Sequence, residues 1–105
     1  MADYDVEKLY NDLLKKKKFD KEISYTSSLL SEKNLLAKKI GEESIEVILE
    51  YLNNNKKSLI KESADLLYHL IVVWISADVK PAEVWNELQK RKGTSGLNEK
   101  KSRLS

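Results

Sequence analysis

Residues 35–77 read LLAKKIGEESIEVILEYLNNNKKSLIKESADLLYHLIVVWISA, and the fold turns on them. Two stretches with apolar residues at three- and four-residue spacing flank the polar run Asn53-Asn54-Asn55-Lys56-Lys57. That pattern predicts two helices joined by a turn, over roughly 35–52 and 59–77, the second opened by Ser58. In the first, Leu36, Ile40, Glu43 and Val47 share one stripe, so Glu43 interrupts an apolar face. In the second, Glu62 and Asp65 precede a segment that is apolar nearly all round, from Leu66 to Ile75. A helix of that kind is central to its fold.

Four acids on these helices carry the chemistry. Glu43 and Glu46 are spaced i, i+3, as are Glu62 and Asp65, so each pair lies on one side of its helix. The midpoint between the pairs is Asn54. In an antiparallel hairpin both pairs then sit at the same height, ~15 Å from the turn at the helical rise per residue. Facing carboxylates repel and lose solvation unless a hard cation sits among them. The spacing suggests a magnesium site, and magnesium usually arrives with substrate phosphates. The same spacing also serves surface salt bridges, with Lys39 four residues before Glu43 and Lys38 four before Glu42. Lys ahead of Glu is the weaker order, though, and such a pair gives only ~0.2–0.5 kcal/mol. The lone histidine, His69, is four residues after Asp65. A di-iron carboxylate site would want Glu-x-x-His at i, i+3, so His69 reads instead as a core or hydrogen-bonding residue behind the acids.

The rest of the chain is consistent with an all-α fold. Pro occurs once, Gly three times and Cys never. Asp3 or Asp5 can cap a first helix that carries Val6, Leu9, Tyr10, Leu13 and Leu14 and ends near Lys15-Lys16-Lys17-Lys18, a run suited to the negative end of its dipole. Ser24 can cap a short second helix with Leu29 and Leu30. Pro81 fits the first turn of a fifth, with Val84, Trp85 and Leu88 inward. Residues 93–105 read as an irregular, mixed-charge tail on a single 105-residue domain. A net charge of +2 is too small to argue for nucleic acid. The longest apolar run, 70–77, is far short of a membrane span, and residues 1–5 carry no secretory signature. The absence of cysteine fits a cytoplasmic chain.

The pattern Glu42-Glu43-x-x-Glu46, then fifteen residues, then Glu62-x-x-Asp65 resembles the signature of the MazG-like all-α nucleoside triphosphate pyrophosphohydrolases. Ser24-Tyr25-Thr26, Lys39-Ile40-Gly41-Glu42-Glu43, Ala64-Asp65-Leu66-Leu67-Tyr68-His69 and Gly93-Thr94-Ser95-Gly96 with Glu99-Lys100 narrow the resemblance to the phosphoribosyl-ATP pyrophosphohydrolase family. It implies helical hairpin subunits that pair into a four-helix-bundle core, hence a homodimer or higher homo-oligomer. It implies Mg²⁺-dependent hydrolysis of phosphoribosyl-ATP to phosphoribosyl-AMP and pyrophosphate, the second step of histidine biosynthesis. By motif position it makes Glu43, Glu46, Glu62 and Asp65 the metal ligands. Glu42 matches the signature's other acid, and Lys39 the family's basic residue before Gly-Glu-Glu. Where the family often carries a glycine before the third helix, this chain has Ser31-Glu32-Lys33-Asn34.

Cleaving a phosphoanhydride needs charge neutralisation and an activated water. Glu42 or Glu46 is the best-placed carboxylate to take the water's proton. Lys39 is the best-placed cation for substrate phosphates, with Arg91, Lys100 and Arg103 able to close over a ribose phosphate. Ser24 and Thr26 are secondary phosphate contacts, Ser24 serving first as a helix cap. Tyr25 reads as a half-buried packing residue rather than a base-stacking one. Two other functions fit the same acids: a housecleaning pyrophosphohydrolase acting on non-standard nucleotides, and a non-catalytic helical dimerisation module.

Overall fold

The computed structural model describes residues 4–18 and 24–92. Asp3 and the tail from residue 93, with Lys100 and Arg103, lie outside the described residues. Among these residues five α-helices follow in order: α1 (Val6–Lys15), α2 (Tyr25–Ser31), α3 (Lys33–Leu52), α4 (Lys56–Ser76) and α5 (Pro81–Lys90), with a 3-10 turn at Lys16–Lys18 after α1. Among the described residues there is no strand, as the periodicity predicts.

Local chemistry explains most of the boundaries. Asp5 caps α1, accepting from the Lys8 N–H at 2.9 Å. Ser24 caps α2, accepting from the Ser27 N–H at 3.3 Å. Each such cap contributes ~1 kcal/mol. One residue, Glu32, joins α2 to α3, so α3 opens two residues earlier than its apolar pattern indicates. Glu32 has φ −132°, an ordinary value for any residue, which is why no glycine is required at this junction. The α3 C-terminus closes in a Schellman motif. The Asn55 N–H reaches the Glu50 carbonyl at 3.1 Å and the Asn54 N–H that of Tyr51 at 3.2 Å. Asn54 supplies the left-handed residue this motif needs, at φ 57°. The cap of α4 is Asn55, whose Oδ1 accepts from the Ser58 N–H at 3.2 Å. Ser58 therefore does not open α4. It sits at the third helical position and donates to a cap three residues upstream. α4 ends in a second Schellman motif, with Val79 N–H to Trp74 carbonyl at 2.8 Å and Asp78 at φ 56°.

α3 and α4 pack along each other as the antiparallel hairpin, and α1 and α2 lean against α4. The buried core comprises Tyr10 and Leu13 of α1, Leu29 of α2, Leu36 of α3, and Ile71, Val72 and Ile75 of α4. The all-round apolar segment of α4 thus supplies three of these seven residues, more than any other helix. Ile71 is 0% exposed. Ile71→Ala is expected to cost ~2–5 kcal/mol, read as a lowered denaturant midpoint with an unchanged slope. α5 departs from expectation. Val84 is half-buried, but Trp85 and Leu88 are exposed. α5 touches the rest through Pro81, which is buried, and through the Trp85 ring, set perpendicular to Trp74 at 6.5 Å. Its outer turn, with Leu88, has no helix among the described residues to cover it.

Candidate functional site

The hairpin brings acids of two helices together. The stripe that carries Leu36, Ile40 and Val47 faces α4, so Glu43 is drawn into the helix–helix seam and is half-buried. Glu62 is half-buried opposite it, and Asp65 is exposed at its edge. One carboxylate oxygen from each of Glu43, Glu62 and Asp65 lies within 4.8 Å of the others. Glu62 shows the strain of this arrangement. Its carboxyl is held above the usual value by desolvation, then by a shared hydrogen bond and charge repulsion with Glu43, then by Asp65 and Glu50. An oxygen-only cluster that resists full ionisation suits a hard divalent cation in its donor chemistry.

The other expected site residues are distributed around this trio. Glu46 is exposed and is not part of the 4.8 Å group. Glu42 is also exposed and pairs with Lys39 at 3.9 Å. Lys39 therefore engages Glu42 rather than Glu43, because Glu43 is turned into the seam. An exposed pair of this kind contributes only ~0–1 kcal/mol, so Lys39 exchanges partners at little cost. Arg91, at the end of α5, donates from Nε to Glu87 at 3.0 Å. It lines a shallow groove of about 340 Å³ with Val79, Glu83, Val84 and Leu88. That groove contains none of the trio, and its mostly apolar lining offers no chemistry for a phosphoanhydride.

Ser24-Tyr25-Thr26 and Tyr68-His69 meet across 42 to 44 residues of sequence. The Thr26 Oγ1 is 2.6 Å from the Tyr68 hydroxyl, and Thr26 is buried. The Tyr25 hydroxyl is 3.0 Å from His69 Nε2, and His69 Nδ1 is 2.8 Å from the Asp65 carbonyl. Ser24 Oγ is engaged in its cap, and the Thr26 hydroxyl in its bond between α2 and α4. His69 is buried and hydrogen-bonded behind Asp65, as its position in the sequence suggests. Tyr25 packs its ring against Tyr68 and His69 and is 53% exposed. Its hydroxyl ionises less readily than usual, through desolvation first and then through the negative charges of Glu43, Asp65 and Glu42. Sequence reasoning missed the Tyr25–His69 link because nothing local announces it. The one available signal was two adjacent polar-aromatic pairs, each beside a residue of the site.

A family profile described as phosphoribosyl-ATP pyrophosphohydrolase matches residues 6–92. The chain is similar to proteins named phosphoribosyl-ATP pyrophosphatase from several bacteria. It is 44% identical to one from Gluconobacter oxydans over 93% of this chain and 74% of that protein. It is 46% identical to one from Paramagnetospirillum magneticum over 93% of this chain and 91% of that protein, and 43% identical to one from Azospirillum brasilense over 95% and 91%.

Proposed function

The chain belongs to the phosphoribosyl-ATP pyrophosphohydrolase family, and on that premise we propose that it hydrolyses phosphoribosyl-ATP to phosphoribosyl-AMP and pyrophosphate in histidine biosynthesis. The observation that carries the reading is the trio Glu43, Glu62 and Asp65, on two helices within the matched span and with oxygens within 4.8 Å of one another. These three, with Glu46 from the next turn of α3, would hold the divalent cation, Mg²⁺. Bound Mg²⁺ supplies positive charge to the phosphate oxygens and lowers the pKa of a coordinated water.

The chain's own residues supply the rest. Glu42 and Glu46 are exposed beside the trio, where either can accept the proton of the attacking water. Lys39, released from its weak pair with Glu42, balances phosphate charge on the same turn of α3. Arg91, with Lys100 and Arg103 of the tail, offers further cations for a ribose phosphate. No helix among the described residues is long and apolar enough to cross a membrane, and a cytoplasmic location fits a cysteine-free chain with a nucleotide substrate. The hairpin pairs with a second copy to make a four-helix core. Support for this comes from α3, where Ile45, Ile48, Leu49 and Leu52 recur at helical spacing and are all exposed, with Ile60 and Leu67 exposed on α4.

The test of function is pyrophosphate release with Mg²⁺ from phosphoribosyl-ATP against a nucleotide panel. Preference for phosphoribosyl-ATP is expected; preference for dUTP or dCTP would move the chain to the housecleaning reading. A pH titration tests the metal separately. Glu62 has a folded pKa above its ordinary value. Its contribution to the metal-free fold is therefore fully present below about pH 4.5 and lost as pH rises through the folded value. Cation binding needs the ionised form and has the opposite sign. The rise in Tm on adding Mg²⁺ is expected to grow between about pH 4.5 and about pH 7. A rise that shrinks over that range would place Mg²⁺ elsewhere.

A further inference from the structure

The reaction outlined above makes no use of the aromatic cluster beside the trio, yet that cluster is built with care. The Asp65 carbonyl only accepts, so His69 Nδ1, 2.8 Å away, carries the imidazole proton. His69 Nε2 is then an acceptor, and the Tyr25 hydroxyl at 3.0 Å donates to it. His69 is 6% exposed, so water competes little for this bond. The Tyr25 ring lies nearly parallel to Tyr68, centroids 6.1 Å apart at 14°, and meets the His69 ring edge-on at 5.9 Å and 89°. Tyr68 is itself fixed by Thr26 at 2.6 Å.

Tyr25 is therefore held by its hydroxyl and packed against two neighbouring rings before any ligand arrives. Even so, 53% of it faces solvent. A residue placed only to fill the core would bury its ring. A restrained aromatic surface left open next to three carboxylates is preorganised to receive a flat ligand group. The nucleotide handled by this site brings such a group, at the far end of the ribose from the phosphates that the acids and Lys39 address.

We infer that Tyr25 is the aromatic wall for the nucleobase of the substrate, and that His69 is a positioning residue that fixes this wall through the Tyr25 hydroxyl. The inference rests on the pyrophosphohydrolase reading and adds the base contact to it. It divides the site between a phosphate end, carried by α3 and α4, and a base end, carried by the first residue of α2. The Asp65 carbonyl joins the two ends, because it orients the imidazole that orients the ring.

The experiment is steady-state kinetics on phosphoribosyl-ATP with Mg²⁺, using variants that circular dichroism shows to be folded. Tyr25→Leu is expected to raise KM about 5- to 100-fold, the range for loss of base–aromatic stacking, with kcat altered by about threefold or less. Tyr25→Phe keeps the ring and loses the grip, so its KM rises by only a few-fold. Adding His69→Leu to Tyr25→Phe produces no further rise, because both remove the same bond. His69→Gln, which retains an acceptor for the Tyr25 hydroxyl, is expected to keep KM closer to wild type than His69→Leu. An active wild type with unchanged KM in Tyr25→Leu, or fully additive effects of Tyr25→Phe and His69→Leu, overturns the inference while leaving the function standing. If Tyr25→Leu does not fold, the Tyr25→Phe and His69→Leu cycle decides alone. A wild type without turnover overturns both.

Discussion

Asp65→Asn is expected to lower turnover of phosphoribosyl-ATP by at least about 10²-fold, since even outer partners of a metal ligand cost ~10–100-fold when removed. The substitution keeps the side chain's size and removes one negative charge from a cluster whose oxygens lie within 4.8 Å. It leaves the Asp65 carbonyl in place, so the bond to His69 and the aromatic wall survive. Loss of activity with an unchanged circular dichroism spectrum therefore isolates the carboxylate. Without metal the variant should be no less stable than wild type, because it relieves repulsion that already raises the Glu62 pKa. With saturating Mg²⁺ it should lose most of the wild-type gain in Tm. Glu46→Gln is expected to lose turnover as well, but to retain more of that gain, because the three oxygens of the trio remain. Asp65→Asn retaining wild-type turnover would remove the acids from the mechanism.

Ile48→Asp tests pairing of the hairpins. Ile48 is 54% exposed in the single chain and sits between Ile45 and Leu52 on the outer stripe of α3. Burying an isoleucine contributes ~1.5–3 kcal/mol, and twofold symmetry removes it from both sides of the interface. The combined loss of ~3–6 kcal/mol weakens dimerisation by about 10²–10⁴-fold, before the cost of desolvating the new carboxylates is added. Light scattering on a gel-filtration column should show a dimer for wild type and a monomer for Ile48→Asp at micromolar concentration. A wild-type monomer, or an Ile48→Asp dimer, would contradict this use of the stripe.

What could be read from the sequence was local or periodic. Asp5, Ser24 and Pro81 mark helix starts through side-chain or ring geometry that acts within one turn. Glu43, Glu62 and Asp65 become neighbours because the hairpin turn falls where the polar run lies, at Asn53–Asn55. The misread features depended on competition or on distance. Asn55 and Ser58 are both good caps, and Asn55 wins because its side-chain Oδ1 accepts from the Ser58 N–H three residues ahead. Trp85 and Leu88 show the limit of periodicity, which identifies an apolar face but not what covers it. Spacing offers Lys39 to Glu43 only as a weak pair, and the packing of α3 on α4 turns Glu43 inward and leaves Glu42 outside as the partner of Lys39. The Tyr25–His69 bond joins elements 44 residues apart, and no local pattern encodes how α2 docks on α4.

The proposed hydrolysis depends on one cation gripped between α3 and α4 by carboxylates of both. Diffraction from crystals soaked in Mn²⁺, an anomalously scattering substitute for Mg²⁺, tests it directly. An anomalous peak is expected at coordination distance, about 2.1 Å, from oxygens of Glu43, Glu62 and Asp65 within one subunit. A peak seated on other residues, with these three carboxylates bare, would contradict it.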